Sequence, residues 1–241
     1  MLKTLKTFFR WCMGRAVIES SPAEGLSTSY RESSRDRALA DQELAAVIIA
    51  AREMPWPYDG IVEFLALTGQ RREEVAKVKS NEFDEKTRTW TMPASRTKNR
   101  RAHIVHLSEP TWAVISTRLS EGYVFATSRG KNFQAFAKGK RSLDRLSGIT
   151  GWRLHDLRRT IVSGMARLGV PPHVADKILN HQAGTISGVA AVYQRHDFLA
   201  ERKEALDLWG AHVQKLIQTI GSDKPDAPSK QTEHTDAGCQ L

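Results

Sequence analysis

The sequence predicts an α+β domain that is mainly helical, with one small antiparallel sheet or hairpin. Three observations carry this. Apolar residues recur at helical spacing through most of the stretch from about 39 to 219. One pair of segments, 87–92 and 103–107, shows the alternation and the Thr and Trp enrichment of paired strands. The chain contains no internal repeat.

The elements follow in order. Residues 2–18 place Leu2, Leu5, Phe8, Phe9, Met13 and Ile18 on one helical face, and Ser20-Ser21-Pro22-Ala23-Glu24-Gly25 breaks it. The residues up to 37 are polar and rich in Ser and Arg, so 29–37 reads as a linker. Asp41 is the expected N-cap of a helix over 42–54, with Leu44, Val47, Ile48 and Ala51 inward and Pro55 and Pro57 ending it. A second helix covers 58–68 and stops at Gly69, and a third covers 72–78. The two strands follow with a basic loop between them, then a helix from Ser108 or Glu109 to about 119 and a short extended piece at 123–125. Helices are expected at 132–146, 155–168, 172–179 and 199–219, with Gly169 closing one and Pro171-Pro172 opening the next. From Gly221 no apolar period remains, and 221–241 reads as a disordered tail. The compact domain is thus 38–220.

Composition narrows the function. The 241 residues carry 36 Lys and Arg against 27 Asp and Glu, a formal charge of +9, which favours an anionic partner: nucleic acid, an acidic membrane face or an acidic protein. A basic protein without such a partner fits the same number. Hydrophobic residues make up 40%, with six Trp and eight Phe, enough for a core and too many for a wholly disordered chain. Cys12 and Cys239 form no pairing pattern, which fits a reducing cytoplasm. No apolar run has the length of a membrane span, and the first residues do not read as a secretory signal.

Four clusters carry candidate chemistry: Thr68-Gly69-Gln70-Arg71-Arg72-Glu73-Glu74, Thr97-Lys98-Asn99-Arg100-Arg101, His155-Asp156-Leu157-Arg158-Arg159-Thr160 and Leu179-Asn180-His181. Tyr193 follows in a small-residue stretch. Each has an ordinary explanation taken alone: a solvated arginine, a basic hairpin tip, a core or capping histidine, a buried tyrosine. Glu74 lies three residues after Arg71, so a helical turn brings the pair together and a glutamate there can orient an inward-facing arginine. His155 and Arg158 share a face for the same reason. His103 and His106 fall on opposite faces of a strand, a poor metal pair. Neither a Walker-type loop nor a dinucleotide fingerprint occurs. The chemistry must therefore use cations and hydrogen bonds from side chains. Two arginine forks can neutralise a phosphodiester as it becomes pentacoordinate. A tyrosine hydroxyl, with an ordinary pKa of about 10, needs help to lose its proton, which His155 can supply. A lysine on a hairpin can protonate a sugar-hydroxyl leaving group.

In order and context these clusters closely resemble the tyrosine recombinase (phage integrase) family. Thr68-Gly69-x-Arg71-x-x-Glu74 is similar to its first arginine motif, Lys98 to its hairpin lysine, His155-x-x-Arg158 to its His-x-x-Arg box, Leu179-Asn180-His181 to its Leu-Gly-His motif and Tyr193 to its nucleophile. Two departures stand out: Asn180 occupies the usual glycine position, and the spacing from His181 to Tyr193 is longer than usual in the family. The resemblance implies a recombinase that cuts and rejoins DNA through a 3′-phosphotyrosine. Arg71 and Arg158 would hold the scissile phosphate, His155 and His181 would bond it or move protons, Lys98 would protonate the 5′ hydroxyl, and Glu74 would support Arg71. It implies no metal or nucleotide cofactor. Its partners would be double-stranded attachment-site DNA, other copies in a tetramer on DNA, and accessory DNA-bending proteins. Residues 1–28 resemble the last helix of the family's core-binding (SAM-like) domain, so an N-terminally truncated catalytic domain with weak, strongly salt-dependent DNA binding is expected. A type IB topoisomerase-like relaxer and a non-catalytic DNA-binding remnant are the alternatives. For the helix at 199–219, docking on a neighbouring protomer and packing on its own domain both remain open.

Overall fold

The computed structural model describes residues 2–27, 36–97, 100–181 and 196–222. The chain divides into two compact units, residues 1–36 and 37–241.

In the first unit, α1 (Leu2–Gly14) is shorter than the expected 2–18. Ala16 turns into the left-handed region (φ 53°), and the Val17 and Ala16 N–H groups donate to the Cys12 and Met13 carbonyls. Those bonds close the helix at Gly14, about one turn before Ile18 could join its face. Phe8 stacks with Trp11, and the Arg15 guanidinium lies over the Trp11 ring.

The second unit is built around α3 (Tyr58–Thr68), whose Ile61, Val62, Phe64, Leu65, Ala66 and Leu67 are all buried. A helix apolar over most of its circumference, with only Asp59 and Glu63 partly exposed, is central. Around it pack α2 (Asp41–Arg52), α5 (Glu109–Ile115), α7 (Asp156–Arg167) and α9 (Leu199–Ser222). The connecting helices α4 (Arg72–Ala76), α6 (Phe136–Ser147) and α8 (Pro172–Ile178) complete the set among the described residues. Asp41 is the first helical residue of α2 and not its cap. Ala40 takes the cap position, its N–H donating to Glu43 Oε2 (2.8 Å), while Asp41 pairs with Arg167 and His212. α4 stops at Ala76 because the chain extends at Val78 and Lys79 to pair with Val124 and Tyr123.

The expected hairpin is present with one more strand. β1 (Phe83–Asp84), β2 (Thr89–Met92) and β3 (His103–His106) form an antiparallel sheet in sequence order. Trp90 opposes Val105 and Met92 opposes His103, so the period of two puts all four on the buried face. Two residues of β1 are too few to show alternation. Phe83 nonetheless stacks on Trp90, whose ring meets Phe64 edge-on at 5.8 Å.

α9 packs on its own domain and runs through Ser222, past the expected tail boundary. Trp209 is fully buried, donates Nε1–H to the Ala66 carbonyl at 2.9 Å, and fills the space that Gly164 leaves open. Removing about 200 Å² of indole from water stabilises the fold by about 5 kcal/mol at most. Among the described residues no helix is long and apolar enough to cross a membrane.

Candidate active site

The turn after α3 sets the first cluster. Gly69 is left-handed (φ 65°) and its N–H donates to the Leu65 carbonyl. A Cβ there would lie 2.7 Å from Ile161 Cγ2 and 2.8 Å from Leu179 Cδ2, so both the dihedral and the packing require glycine. Two residues on, Arg71 caps α4. Its backbone N–H donates to Glu74 Oε2 (3.0 Å) and its Nη1 to Oε1 (2.8 Å). Glu74 is 7% exposed, so this carboxylate meets the arginine out of bulk water.

Arg158 joins the clusters. It lies in the first turn of α7, is 4% exposed, and donates Nη1 to the Gly69 carbonyl at 2.6 Å and Nη2 to the Leu179 carbonyl. Burial, then the nearby Arg71 charge, pulls its pKa down to about 10, with Glu74 opposing. It therefore stays cationic at neutral pH, beside a second cation.

His155 sits at the N-cap of α7 on the exposed side. Partial desolvation, then Arg158 and Arg159, lower its pKa. Its helix start is braced by Asp156, a buried residue that sequence reasoning did not single out: Oδ2 accepts the Arg153 N–H (2.9 Å) and Oδ1 accepts Arg159 Nη1 (2.7 Å). An acid in the first turn before an apolar run is the signal that was there to read.

His181 is placed by the end of α8. Its N–H donates to the Asp176 carbonyl and the Asn180 N–H to the Lys177 carbonyl, the paired bonds of a Schellman turn. Its ring Nδ1 lies 3.2 Å from Asp176 Oδ1. Desolvation, then Arg158, lowers its pKa, while Asp176 raises it. Upstream, the Ile178 carbonyl accepts from Gln70 Nε2 (2.9 Å) and His103 Nε2 (3.0 Å). Both donors are buried and neither was identified from sequence; a carbonyl partner far along the chain leaves no local pattern.

Arg71, Glu74, His155, Arg158 and His181 thus gather around one region. Lys98 and Tyr193 lie outside the described residues. The chain leading to Lys98 is anchored: Arg96 donates Nη2 to the Glu74 carbonyl (2.6 Å) and ion-pairs Glu82, and the Thr97 hydroxyl reaches the Arg101 carbonyl (2.7 Å). A cleft of about 750 Å³ opens here, with Arg71, Thr97, Lys140, Trp152, Arg153 and His155 among its lining. Lys140 Nζ stands 4.1 Å from the Trp152 ring centre, and Arg72 lies over Phe136. His103 points into the core and His106 to Asp207, and among the described residues no three His, Cys, Asp or Glu are grouped to hold a metal.

Residues 37–198 match the Phage integrase family. The chain belongs to that family. A curated relative, "Prophage integrase IntA" of Escherichia coli (strain K12), is 28% identical over 148 residues, which cover 59% of this chain and 35% of the relative. The chain therefore spans about a third of that relative's length. Among solved structures, the integrase from mycobacterium phage Brujita superposes with a TM-score of 0.58 at 16% identity, covering 88% of this chain and 75% of that one. A lambda integrase dimer bound to a COC′ core site gives 0.57 at 17%, covering 81% and 58%. At these identities the likeness is one of fold: the mainly helical tyrosine recombinase catalytic domain with its small sheet. Within the family's Leu-Gly-His pattern, Asn180 has φ 51°. Asparagine is the non-glycine residue best suited to that left-handed position, which accounts for the departure.

Proposed function

We propose that this integrase-family chain is a site-specific DNA recombinase that integrates or excises a mobile element. The observation that carries the reading is the placement of Arg158 near Arg71, with the buried carboxylate of Glu74 as their nearest counter-charge, flanked by two histidines whose pKa values are lowered. Such a site has an excess of positive charge and fits an anion held by forked donors. A DNA phosphodiester lies against Arg71 and Arg158. Two of the five Arg158 N–H donors hold protein carbonyls, and the others are assigned to phosphate oxygens. The Tyr193 oxygen attacks phosphorus, its proton passing to a neutral histidine, His155 in the first instance. The bond to the 5′ oxygen breaks as Lys98 protonates it, and the 3′ phosphate stays on Tyr193 as an ester that the returning hydroxyl can reopen. Each correctly placed electrostatic donor is worth about 10²–10³ in rate.

In this reading 38–220 is the catalytic domain, 1–28 the end of a core-binding domain and 29–37 the linker. The protein acts on attachment-site duplexes as a tetramer in the cytoplasm, without metal or nucleotide, and accessory DNA-bending proteins assist. Nicked suicide duplexes, drawn from the DNA flanking the coding sequence, test it on a denaturing gel. A covalent adduct that persists in chelator and vanishes in Tyr193→Phe is the expected result. No adduct with any duplex would favour a non-catalytic DNA-binding role. Plasmid relaxation without strand exchange would favour a topoisomerase-like one.

A further inference from the structure

We propose that Gln70 and His103 are positioning residues that fix His181 through the last carbonyls of α8. The inference rests on the role assigned to His181 above.

A helix leaves its final four carbonyls without intrahelical partners. In α8 all four can be accounted for. The Schellman turn satisfies Asp176 and Lys177 with the N–H groups of His181 and Asn180. Arg158 takes the Leu179 carbonyl, and Gln70 and His103 together take that of Ile178. These three donors come from three elements, and each adjoins another site group. Gln70 precedes Arg71, His103 opens the strand that leaves the Lys98 hairpin, and Arg158 follows His155. Only Leu179 and Asn180 separate the doubly bonded carbonyl from His181.

The Gln70 amide can have one orientation only. Its Nε2 donates to the Ile178 carbonyl and to that of Thr68 (3.0 Å), so a flipped amide would set oxygen against oxygen. Its Oε1 is buried with no partner among the described residues. An apolar side chain of the same volume would fill the space without that orphaned acceptor. It would, however, remove the donor shared by the Thr68 and Ile178 carbonyls, so the residue's contribution here is its double donor. For His103, a carbonyl partner fixes the proton on Nε2, the tautomer that a deeply buried neutral ring can hold. Loss of either donor frees the α8 terminus to shift. A misplacement of about 1 Å at a reacting group lowers rates by about 10².

The test is a double-mutant cycle on single-turnover adduct formation by the full chain, with folding checked by thermal melt. Gln70→Met and His103→Leu should each slow the reaction at least tenfold in the unaltered background and less than twofold in His181→Ala. His103→Gln, which returns an N–H near the same place, should restore the rate to within threefold. Equal losses in both backgrounds, or no loss in either, would overturn the proposal. If His103→Leu does not fold, Gln70→Met carries the test. A second arm needs no DNA: the His181 ring, assigned by its loss in His181→Ala, is titrated by NMR. Among Arg158, Arg71 and Asp176 it should titrate below an ordinary histidine and move toward the ordinary value in Gln70→Met. An unmoved titration refutes the positioning role. A moved titration in a chain that makes no adduct leaves positioning standing and removes the recombinase reading.

Discussion

Gly69→Ala tests how tightly fold and site are joined at the end of α3. The wild-type residue has φ 65°, and alanine in the left-handed region costs about 1–2 kcal/mol. The added Cβ would sit 2.7 Å from Ile161 Cγ2 and 2.8 Å from Leu179 Cδ2, both methyl carbons of buried side chains. Both belong to the packed core, so overpacking adds about 1–3 kcal/mol. The sum is about 2–5 kcal/mol, a large part of the roughly 5–15 kcal/mol that holds an ordinary domain together. Urea unfolding at 25 °C, followed by tryptophan fluorescence, should show the midpoint falling by about 1 M or more with an unchanged slope. Because the Gly69 carbonyl receives Arg158, adduct formation should fall further than the folded fraction explains. A loss below about 1 kcal/mol would refute the reasoning: the αL turn would then be adjustable, and the link from α3 to Arg158 slack.

Two other outcomes follow from the same geometry. Burial, then Arg202, lowers the pKa of His103 to about 4, against about 6.5 when unfolded. As pH falls the unfolded chain takes up this proton first, so the contribution is whole above pH 6.5 and lost between 6.5 and 4. It amounts to about 3 kcal/mol. His103→Gln should flatten the fall of stability over that window, and parallel curves for the two proteins would contradict the assignment. Arg153 lines the cleft from the exposed segment before α7. Arg153→Ala should weaken DNA binding about equally on every sequence and reduce the salt slope of log K by about one; an unchanged slope would place the phosphate backbone elsewhere.

Where local chemistry decides the structure, the sequence was readable. α3 spans the expected 58–68 and ends at Gly69 because an apolar run meets a residue free to take positive φ. Arg71 and Glu74 pair because the N-cap and N3 positions of a helix face each other at that spacing. Residues whose partners are remote were not readable. Gln70 and His103 reach the same carbonyl from 108 and 75 positions away, with nothing beside them in sequence to announce it. Asp41 looked like a cap, but the neighbouring Glu43 carboxylate serves Ala40 from three residues on, which frees Asp41 to join α2 to α7 and α9. β1 is defined by its pairing with β2 and has no period of its own. The joint pattern of motifs identified the family where each motif alone was ambiguous.

Trp209 imposes an order on the life of the polypeptide. The indole that plugs the gap beside Gly164 hydrogen-bonds a carbonyl 143 positions earlier. While a ribosome is still making the early helices, that gap has no occupant and the apolar walls of α3 and α7 face the solvent. Maturation must wait until α9 emerges and closes the distant contact, a slow, non-local step. A nascent or clipped chain stopping short of it would present a sticky slot to chaperones and proteases, so premature termination late in the gene should yield degradation in place of a smaller folded protein.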